Sequence, residues 1–308
     1  MAAVKAVVFA YHNVGVRCLK VLLAHGVDVA LVITHTDNPN ETIWFDSVTD
    51  TAARYDIPVI TPDDANTPEV FERVAALAPD FIFSFYYRQM LKPPLLALAS
   101  HGAYNMHGSL LPKYRGRVPV NWAVLHGERE TGATLHRMVE KPDAGEIVGQ
   151  QAVPILPDDT AKEVFDKVTI AAEMCLDGVL PALIAGMAQH RPMDLAQGSY
   201  FSGRKPEDGR IDWTKPAHEI HNLVRAVAPP YPGAFFDLPD GLRLRVLLTV
   251  PERGLAARHA VPTLYREGDK ILADCADGGV LRILAWDGEW DSNWDKSGLA
   301  LVTAPTEL

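Results

Sequence analysis

Short apolar runs alternate with stretches of helical spacing along the first hundred residues. Buried strands are predicted at 5–11, 27–34, 58–61 and 80–85. Helices are predicted between them at 14–24, 47–55 and 68–77. In the last of these helices, Val70, Val74 and Leu77 recur at helical spacing and form one apolar face. This alternation is typical of βαβ units, which build a parallel sheet covered by helices.

The same pattern continues, less regularly, up to about residue 200. Strands are predicted at 103–107, 133–139 and 147–153, and a helix is predicted at 118–126. Thr160 and Glu163 have the spacing of a capping box, and apolar residues at helical spacing follow them. We therefore expect a long helix from this point that bends or ends near Pro181.

The pattern changes again in the last hundred residues. Residues 202–206 are typical of a linker, and Leu242, Leu244 and Val246 then alternate with arginines directly after the turn sequence 239–241. A second turn sequence at 277–279 precedes an apolar run at 280–285. The chain is therefore predicted to be an α/β protein. We expect a mostly parallel sheet in a catalytic domain at 1–203 and a smaller β-barrel of the OB type at 204–308.

Composition narrows the class of protein and its partners. The 308 residues are 48% hydrophobic, which suffices for two folded domains, and their formal charge of −10 disfavours nucleic acid and anionic membranes as partners. Cys18, Cys175 and Cys275 are far apart, so neither a disulfide framework nor a zinc cluster is expected. No signal peptide and no membrane-spanning apolar run is recognised. We expect a cytoplasmic protein that uses no metal.

The first turn between a predicted strand and helix lacks the glycines of dinucleotide-binding folds. Residues 11–15 do not match G-x-G-x-x-G, and the chain contains no P-loop motif. NAD and P-loop nucleotide chemistry are therefore disfavoured. His12 and Asn13 in this turn could face a ligand or could equally belong to a polar connecting loop.

The segment 101–112 carries the most informative polar residues. If 103–107 is a strand, Asn105 and His107 are two positions apart and point to the same face. An amide donor and a titratable imidazole would then lie side by side where the strand ends, and this is the edge at which open α/β sheets bind ligands. The loop of glycine and proline that follows favours a functional role for the pair.

Three cations and one acid complete the candidate residues. Lys113, Arg115 and Arg117 follow the predicted strand, and they could bind carboxylates or phosphates of an anionic substrate or form a solvated basic loop. Asp143 lies in a turn between two predicted strands, where aspartate is common without any function. Its role depends on whether the tertiary structure brings it close to His107.

Together these motifs resemble the 10-formyltetrahydrofolate-dependent formyltransferases. The resemblance rests on Asn105-Met-His107, the segment 108–117 that follows, and Asp143-Ala-Gly145. It extends over nearly the whole chain, through the segments 7–12, 34–39, 83–88, 134–138 and 232–235. Within the family it is closest to the formyltransferase portion of the bifunctional polymyxin-resistance protein ArnA. The resemblance implies a Rossmann-like domain followed by an OB-like domain.

The resemblance also implies an activity and a site. The implied reaction transfers a formyl group from the cosubstrate 10-formyltetrahydrofolate to the 4-amine of UDP-4-amino-4-deoxy-L-arabinose, as in lipid A modification and polymyxin resistance. Asn105 would stabilise the oxyanion, His107 would carry the proton from the amine toward N10 of the folate, and Asp143 would favour the imidazolium form of His107. The residues implied to contact the folate are Gln89, Met90, Leu91, Arg117, Val139, Glu140, Lys141, Pro142 and Asp143.

Three other functions stay open. Methionyl-tRNA formyltransferases share the fold, the donor and the catalytic group, but a charge of −10 disfavours a polyanionic acceptor. Another nucleotide-linked amino sugar, such as a dTDP-hexose, is also compatible. A non-catalytic module that binds folate or a sugar nucleotide is disfavoured because Asn105, His107 and Asp143 are all present. We expect small-molecule partners, and the sequence does not decide whether the chain forms a homo-oligomer.

Overall fold

Seven strands form one sheet in the N-terminal part of the chain. The computed structural model describes residues 4–238, 241–288 and 298–301. The strands of this sheet are β1 (Lys5–Ala10), β2 (Asp28–Ile33), β3 (Val59–Ile60), β4 (Phe81–Phe85), β5 (Ala103–His107), β7 (Glu130–Arg137) and β8 (Ile147–Pro154). Two further short strands, β6 (Arg115–Gly116) and β9 (Tyr200–Phe201), pair with each other in parallel.

The order of strands places a crevice near the centre of the sheet. The order is β3-β2-β1-β4-β5-β7-β8. The strands β1 to β5 are parallel to their neighbours, whereas β7 is antiparallel to β5, and β8 is antiparallel to β7. The chain proceeds outward from β1 to β3 and then returns to β4 on the other side of β1. Ligands bind at such a reversal, beyond the carboxyl ends of the strands. The prediction of a mostly parallel sheet is confirmed.

Helices connect the strands much as the pattern predicts. They are α1 (His12–Ala24), α2 (Val48–Ala53), α3 (Pro68–Leu77), α4 (Pro93–Leu96), α5 (Pro119–Leu125) and α6 (Ala161–Ile184). The hydroxyl of Thr67 accepts from the amide of Val70 and caps α3, which has the predicted bounds. The helix α1 begins two residues earlier than predicted because the amide of Gly15 already donates to the carbonyl of Tyr11 at 3.2 Å.

The helix α6 starts at the predicted capping box and ends close to Pro181. The Thr160 hydroxyl accepts from the Glu163 amide at 3.3 Å, and the Glu163 carboxylate accepts from the Thr160 amide at 2.7 Å. The helix ends at Ile184, three residues after Pro181, which agrees with the expectation that it bends or ends near this proline. Pro181 lies in the last turn, where its missing N–H removes a single hydrogen bond.

The face of the sheet toward α3 carries a continuous apolar core. Alternate residues of the central strands, with Val70 and Val74 of α3, are almost completely buried in it. The strand residues in this core include Val7, Phe9, Leu31, Ile33 and Ile82. These strands are buried on both faces, which is typical of parallel sheets and fixes the positions of their carboxyl ends.

The last hundred residues form an antiparallel half-barrel next to one helix. The helix is α7 (Ala217–Val227), and the strands are β10 (Ala234–Asp237), β11 (Arg243–Pro251), β12 (Thr263–Glu267), β13 (Lys270–Asp274), β14 (Val280–Asp287) and β15 (Leu299–Ala300). The strand order is β10-β11-β14-β13-β12-β15. Both predicted hairpins are confirmed, although residues 239 and 240 of the first turn lie outside the described residues.

The chain divides into two compact units that differ slightly from the predicted domains. One unit comprises Met1–Pro119, Glu130–Pro154 and Phe165–Ser202, and the other comprises Val120–Arg129, Ile155–Val164 and Gly203–Leu308. The division into a catalytic domain at 1–203 and a barrel at 204–308 stays a prediction. In the part of the chain that the structure describes, no helix is long and apolar enough to cross a membrane.

Candidate active site

Two polar residues of β5 and two of β7 lie side by side at the carboxyl end of β5. Asn105 and His107 share one face because strand side chains alternate. In the antiparallel register, Asn105 lies opposite His136, and His107 lies opposite Thr134. Directly opposed residues of an antiparallel pair are neighbours on one face of the sheet. The predicted pair therefore gains two partners that the spacing within one strand does not reveal.

The ring of His107 is buried and each of its nitrogens faces a different group. Its Nε2 lies 2.8 Å from the carbonyl oxygen of Tyr114. A carbonyl oxygen only accepts hydrogen bonds, so Nε2 carries a proton. The Nδ1 atom lies 3.6 Å from Oδ1 of Asp143. Nδ1 is therefore the nitrogen of His107 that can gain and lose a proton beside a carboxylate.

Asp143 is brought to this face by the loop between β7 and β8. The residue adopts a left-handed backbone conformation, with φ of 48°. The base of the loop is closed by the amide of Arg137, which donates to the carbonyl of Glu146 at 2.9 Å. A Cβ added at Gly145 would overlap the carbonyl oxygen of Arg137, so only glycine permits this close return of the chain. The tertiary structure therefore brings Asp143 close to His107, which is the condition on which its role depends.

The surroundings of Asp143 keep its side chain ionised. Its Oδ2 accepts a hydrogen bond from the amide of Gly116 at 2.9 Å, and its Oδ1 lies 3.5 Å from Nε2 of His136. Burial by itself would raise the pKa of Asp143. The charge of His107 and the hydrogen bond from the Gly116 amide act against burial, and the pKa of Asp143 lies well below its usual range. Asp143 is thus a fixed negative charge beside His107.

The amide of Asn105 is held from the neighbouring strand. Its Nδ2 lies 3.2 Å from Nε2 of His136, and Nδ1 of His136 lies 3.0 Å from the carbonyl oxygen of Arg137. His136 is 2% exposed, whereas Asn105 is only partly buried. The carboxamide of Asn105 is therefore anchored on one side and accessible on the other.

The loop after β5 is fixed by polar residues of β7 and β8. The hydroxyl of Thr134 donates to the carbonyl of Ser109 at 2.6 Å and accepts from the amide of Leu111 at 3.1 Å. Nε2 of Gln150, which is opposite Thr134 in the sheet, donates to the carbonyl of Leu111 at 2.8 Å. These bonds hold the loop in a conformation that brings the carbonyl of Tyr114 to His107.

The side chain of Gln89 forms hydrogen bonds with the backbone of a neighbouring loop. Its Oε1 accepts from the amide of Ala65 at 2.8 Å, and its Nε2 donates to the carbonyl of Asp63 at 2.6 Å. The side chain of Met90 is 58% exposed, whereas that of Leu91 is buried in the core. Of the three predicted folate contacts in this segment, Met90 alone presents an exposed side chain, and Gln89 and Leu91 offer chiefly their backbone.

The remaining predicted folate contacts are mostly accessible. Val139, Glu140 and Lys141 are exposed, and Pro142 is partly buried. Arg117 has an exposed side chain, while its amide donates to the carbonyl of Phe201 at 3.0 Å. These residues are therefore accessible to a ligand at the loop that carries Asp143.

The three predicted loop cations do not share one environment. Lys113 and Arg117 are exposed. Arg115 is 9% exposed, and its guanidinium carbon lies 5.9 Å from the centre of the Tyr200 ring. Arg115 is thus buried while the other two cations are accessible, and the binding of an anionic substrate by these residues stays a prediction.

His12 and Asn13 hold a neighbouring segment of the same unit. The ring of His12 lies 3.9 Å from the ring of Phe45, centre to centre. The side-chain oxygen of Asn13 accepts from the amide of Asp46 at 2.8 Å. Both residues of the first turn therefore position the 44–46 segment beside the carboxyl end of β1.

Sequence reasoning missed His136, the Tyr114 carbonyl and the Gly116 amide. A signal for His136 was present, because Thr134 and His136 repeat on one predicted strand the spacing of Asn105 and His107 on another. The pairing register that joins the two strands was not predictable. Among the described residues, no group of three or more histidine, cysteine, aspartate or glutamate side chains could hold a metal ion.

Comparisons with solved structures show the same fold in enzymes that act on sugars. An N-formyltransferase from Helicobacter canadensis in complex with folinic acid and dTDP-3-aminofucose has a TM-score of 0.69 and 22% identity over 91% of this chain and 98% of its own. The sugar 3N-formyltransferase WlaRD, in the presence of dTDP and 5-N-formyl-THF, has a TM-score of 0.71 and 20% identity over 92% and 98% of the two chains. A sugar N-formyltransferase from Shewanella sp. FDAARGOS_354 has a TM-score of 0.64 and 17% identity over 80% and 98%.

Family profiles cover most of the sequence. Residues 12–180 match the formyl transferase family, and residues 204–288 match the formyl transferase C-terminal domain. The first match spans the strands that carry Asn105, His107 and His136 and the loop that carries Asp143. Taken with the geometry at the end of β5, these matches show that the chain belongs to the formyltransferase family and is an enzyme that transfers formyl groups.

Proposed function

We propose that this enzyme transfers a formyl group from 10-formyltetrahydrofolate to the amine of a nucleotide-linked sugar. The observation that carries the proposal is the convergence of Asn105, His107 and Asp143 at the carboxyl end of β5. The structures with the same fold support the choice of substrates, because two of them contain a folate together with dTDP or a dTDP-sugar. The negative charge of −10 supports a small acceptor over a nucleic acid.

Asn105 is proposed to stabilise the oxyanion. When a neutral amine attacks the formyl carbon, the carbonyl oxygen of the formyl group gains negative charge and the amine nitrogen gains a positive charge. The accessible side of the Asn105 amide can donate an N–H to that oxygen. A single preorganised donor of this kind contributes about 3–4 kcal/mol to the stability of the transition state.

His107 is proposed to move one proton from the amine to N10 of the folate. The Tyr114 carbonyl keeps the Nε2 proton in place, so the transfer takes place at Nδ1. Nδ1–H donates to N10 as the bond between N10 and the formyl carbon breaks, and the neutral Nδ1 then takes the proton that the amine loses. The carboxylate of Asp143, 3.6 Å away, favours the protonated ring before and after this exchange.

The folate is proposed to bind between the 89–91 segment and the 139–143 loop. Exposed Met90 and Val139 offer apolar surface for the pterin, and backbone groups of both segments can pair with its polar edge. Exposed Arg117 can pair with an anionic group of either substrate. These assignments follow the resemblance in sequence and are compatible with the exposure of each segment.

The acceptor is proposed to be UDP-4-amino-4-deoxy-L-arabinose, formylated at its 4-amine for lipid A modification and polymyxin resistance. The support for this specific acceptor is the resemblance of the sequence over the segments 7–12, 108–117 and 134–138. The expected setting is the cytoplasm, where the folate donor and nucleotide sugars are both available.

A panel of acceptors tests the proposal. The enzyme would be incubated with 10-formyltetrahydrofolate and, separately, UDP-4-amino-4-deoxy-L-arabinose, dTDP-linked amino hexoses and charged initiator tRNA, with products identified by mass spectrometry. Rapid formylation of the UDP-pentose is expected. If the enzyme prefers a dTDP-hexose, that sugar and not UDP-4-amino-4-deoxy-L-arabinose is the acceptor. If it prefers tRNA, the proposal of a sugar substrate is rejected. Binding of a sugar nucleotide without any formylated product would indicate a non-catalytic binding module.

A further inference from the structure

We infer that His136 is a positioning residue that fixes the orientation of the Asn105 carboxamide, so that one of its N–H groups points toward the reacting formyl oxygen. The inference rests on the proposed function, because it concerns the oxyanion donor of that reaction. His136 itself is almost completely buried, so its side chain is not accessible to a substrate. Its contribution is made through Asn105.

The protonation of His136 can be deduced from its two contacts. Nδ1 lies 3.0 Å from the carbonyl oxygen of Arg137, which only accepts. Nδ1 therefore carries a proton. The role of Nε2 then depends on which of its two neighbours, the Asn105 amide at 3.2 Å or the Asp143 carboxylate at 3.5 Å, it bonds.

Distance favours Asn105. A charge-assisted bond from an imidazolium N–H to a carboxylate is usually about 2.7–2.9 Å long, much shorter than the separation between His136 and Asp143. The contact with Asn105 has the length of an ordinary hydrogen bond to nitrogen. Because the amide nitrogen of Asn105 can only donate, Nε2 of His136 accepts one N–H of the Asn105 amide through its lone pair.

This bond determines which end of the Asn105 carboxamide faces the substrate. A carboxamide rotated by half a turn would place its oxygen against the Nε2 lone pair, where two acceptors repel. The observed orientation occupies one N–H with His136 and leaves the second for the formyl oxygen. Without His136, the amide could present its own oxygen to the developing oxyanion and oppose the reaction.

Nuclear magnetic resonance tests the orientation without any acceptor substrate. In the enzyme labelled with nitrogen-15, we expect His136 to show a protonated Nδ1 and a bare Nε2, with a coupling across the hydrogen bond between Nε2 and the Asn105 side-chain nitrogen. A proton on Nε2 would overturn the inference. This measurement shows whether Nε2 of His136 accepts from the Asn105 amide even if none of the tested sugars is formylated.

Kinetics test the role of His136 in the reaction. His136→Leu should lower kcat about 100-fold, the loss typical of a disabled oxyanion donor, and change KM for either substrate less than threefold. In His136→Gln, the Oε1 of the new side chain can accept the same N–H, so kcat should be at least tenfold higher than in His136→Leu. His190→Leu is the matched control, because His190 lies 3.1 Å from the hydroxyl of Tyr104, a β5 residue on the other face. It should change kcat less than twofold.

A double-mutant cycle separates positioning from a general structural role. If His136 acts through Asn105, His136→Leu should lower kcat less than twofold in the Asn105→Ala background. An undiminished, additive loss in that background would overturn the inference while leaving the proposed function intact. An enzyme that formylates no acceptor would instead reject the proposed function, and the resonance measurement would still decide the state of His136.

Discussion

At the scale of single residues, the Asp143 carboxylate depends on contacts that exist only in the folded chain. Those contacts hold its pKa below the usual range, so the folded state favours the ionised form more strongly than the unfolded state does. The stabilisation is fully present above the unfolded pKa, which is about 4 for aspartate, and it is lost as the pH falls through the lower folded pKa.

Asp143→Asn should therefore reduce stability at neutral pH more than in acid. We expect the free energy of unfolding of the wild-type chain to exceed that of the variant by about 2 kcal/mol at about pH 7, and by clearly less at about pH 2. Urea unfolding of both chains at each pH measures the difference. A gap that stays constant or widens in acid would show that the carboxylate is not stabilised by its neighbours.

Thr134 is expected to stabilise the loop that brings Tyr114 to His107. Replacing Thr134 with valine preserves the shape but leaves the carbonyl of Ser109 and the amide of Leu111 with one partner fewer. The expected loss is about 2 kcal/mol in the free energy of unfolding, with a lower kcat. Thr134→Ser retains the hydroxyl and is the control in thermal unfolding and formyl-transfer assays. Equal behaviour of the two variants would refute a role for the hydroxyl.

At the scale of elements, the loop from β7 to β8 brings Asp143 to His107 because Gly145 allows the chain to pass close to Arg137, where the loop begins. In Gly145→Ala, the added methyl group would meet the carbonyl of Arg137, the same oxygen that faces Nδ1 of His136. The loop would move, and Asp143 with it. We expect at least a tenfold fall in kcat and a loss of about 1–3 kcal/mol in stability.

Gly178→Ala is a matched control for that substitution. Gly178 lies inside α6, and a Cβ added there would meet no atom within 4 Å. Alanine in a helix interior is favoured over glycine by about 0.5–1 kcal/mol, so this variant should be slightly more stable with unchanged kcat. Chemical unfolding and steady-state kinetics check both variants. A Gly145→Ala enzyme as stable and active as Gly178→Ala would contradict the steric argument.

Elements were predictable from the sequence to the extent that their signals are local. Apolar runs and caps such as Thr67 and Thr160 located the strands and helices, and strand alternation placed Asn105 and His107 on one face. The position of Asp143 was not predictable, because it depends on how the loop after β7 folds back on Arg137. The contact of His136 with Asn105 depends on the register of two strands. That register is fixed by pairing across the sheet and not by either strand alone.

At the scale of the whole molecule, the C-terminal unit includes two short segments from earlier in the chain. Nδ2 of Asn121 donates to the carbonyl of Ala226 at 2.8 Å, Nε2 of His221 lies 3.2 Å from the carbonyl of Pro157, and a guanidinium nitrogen of Arg225 donates to the carbonyl of Asp159 at 3.1 Å. His221 and Arg225 are buried, so these partners replace water that the side chains have lost.

A fragment cut at the predicted domain boundary should therefore be poorly stable. Residues 204–308 alone would lack the acceptors supplied by Pro157 and Asp159, and each buried group left unpaired costs about 1–3 kcal/mol. We expect the fragment to melt at a clearly lower temperature than the intact chain, or to show no cooperative transition, in circular dichroism. A fragment that melts cooperatively at the temperature of the whole chain would show that these segments are dispensable.

The central claim, that Asn105, His107 and Asp143 together perform formyl transfer, is tested most directly by single-turnover measurement. Enzyme in excess over 10-formyltetrahydrofolate and a saturating amino-sugar nucleotide would be mixed rapidly, and the formylated sugar quantified over time for wild type, His107→Ala and Asp143→Asn. The account predicts that each substitution slows the chemical step at least about 100-fold while folate still binds. A rate for either variant equal to that of the wild-type enzyme would contradict it.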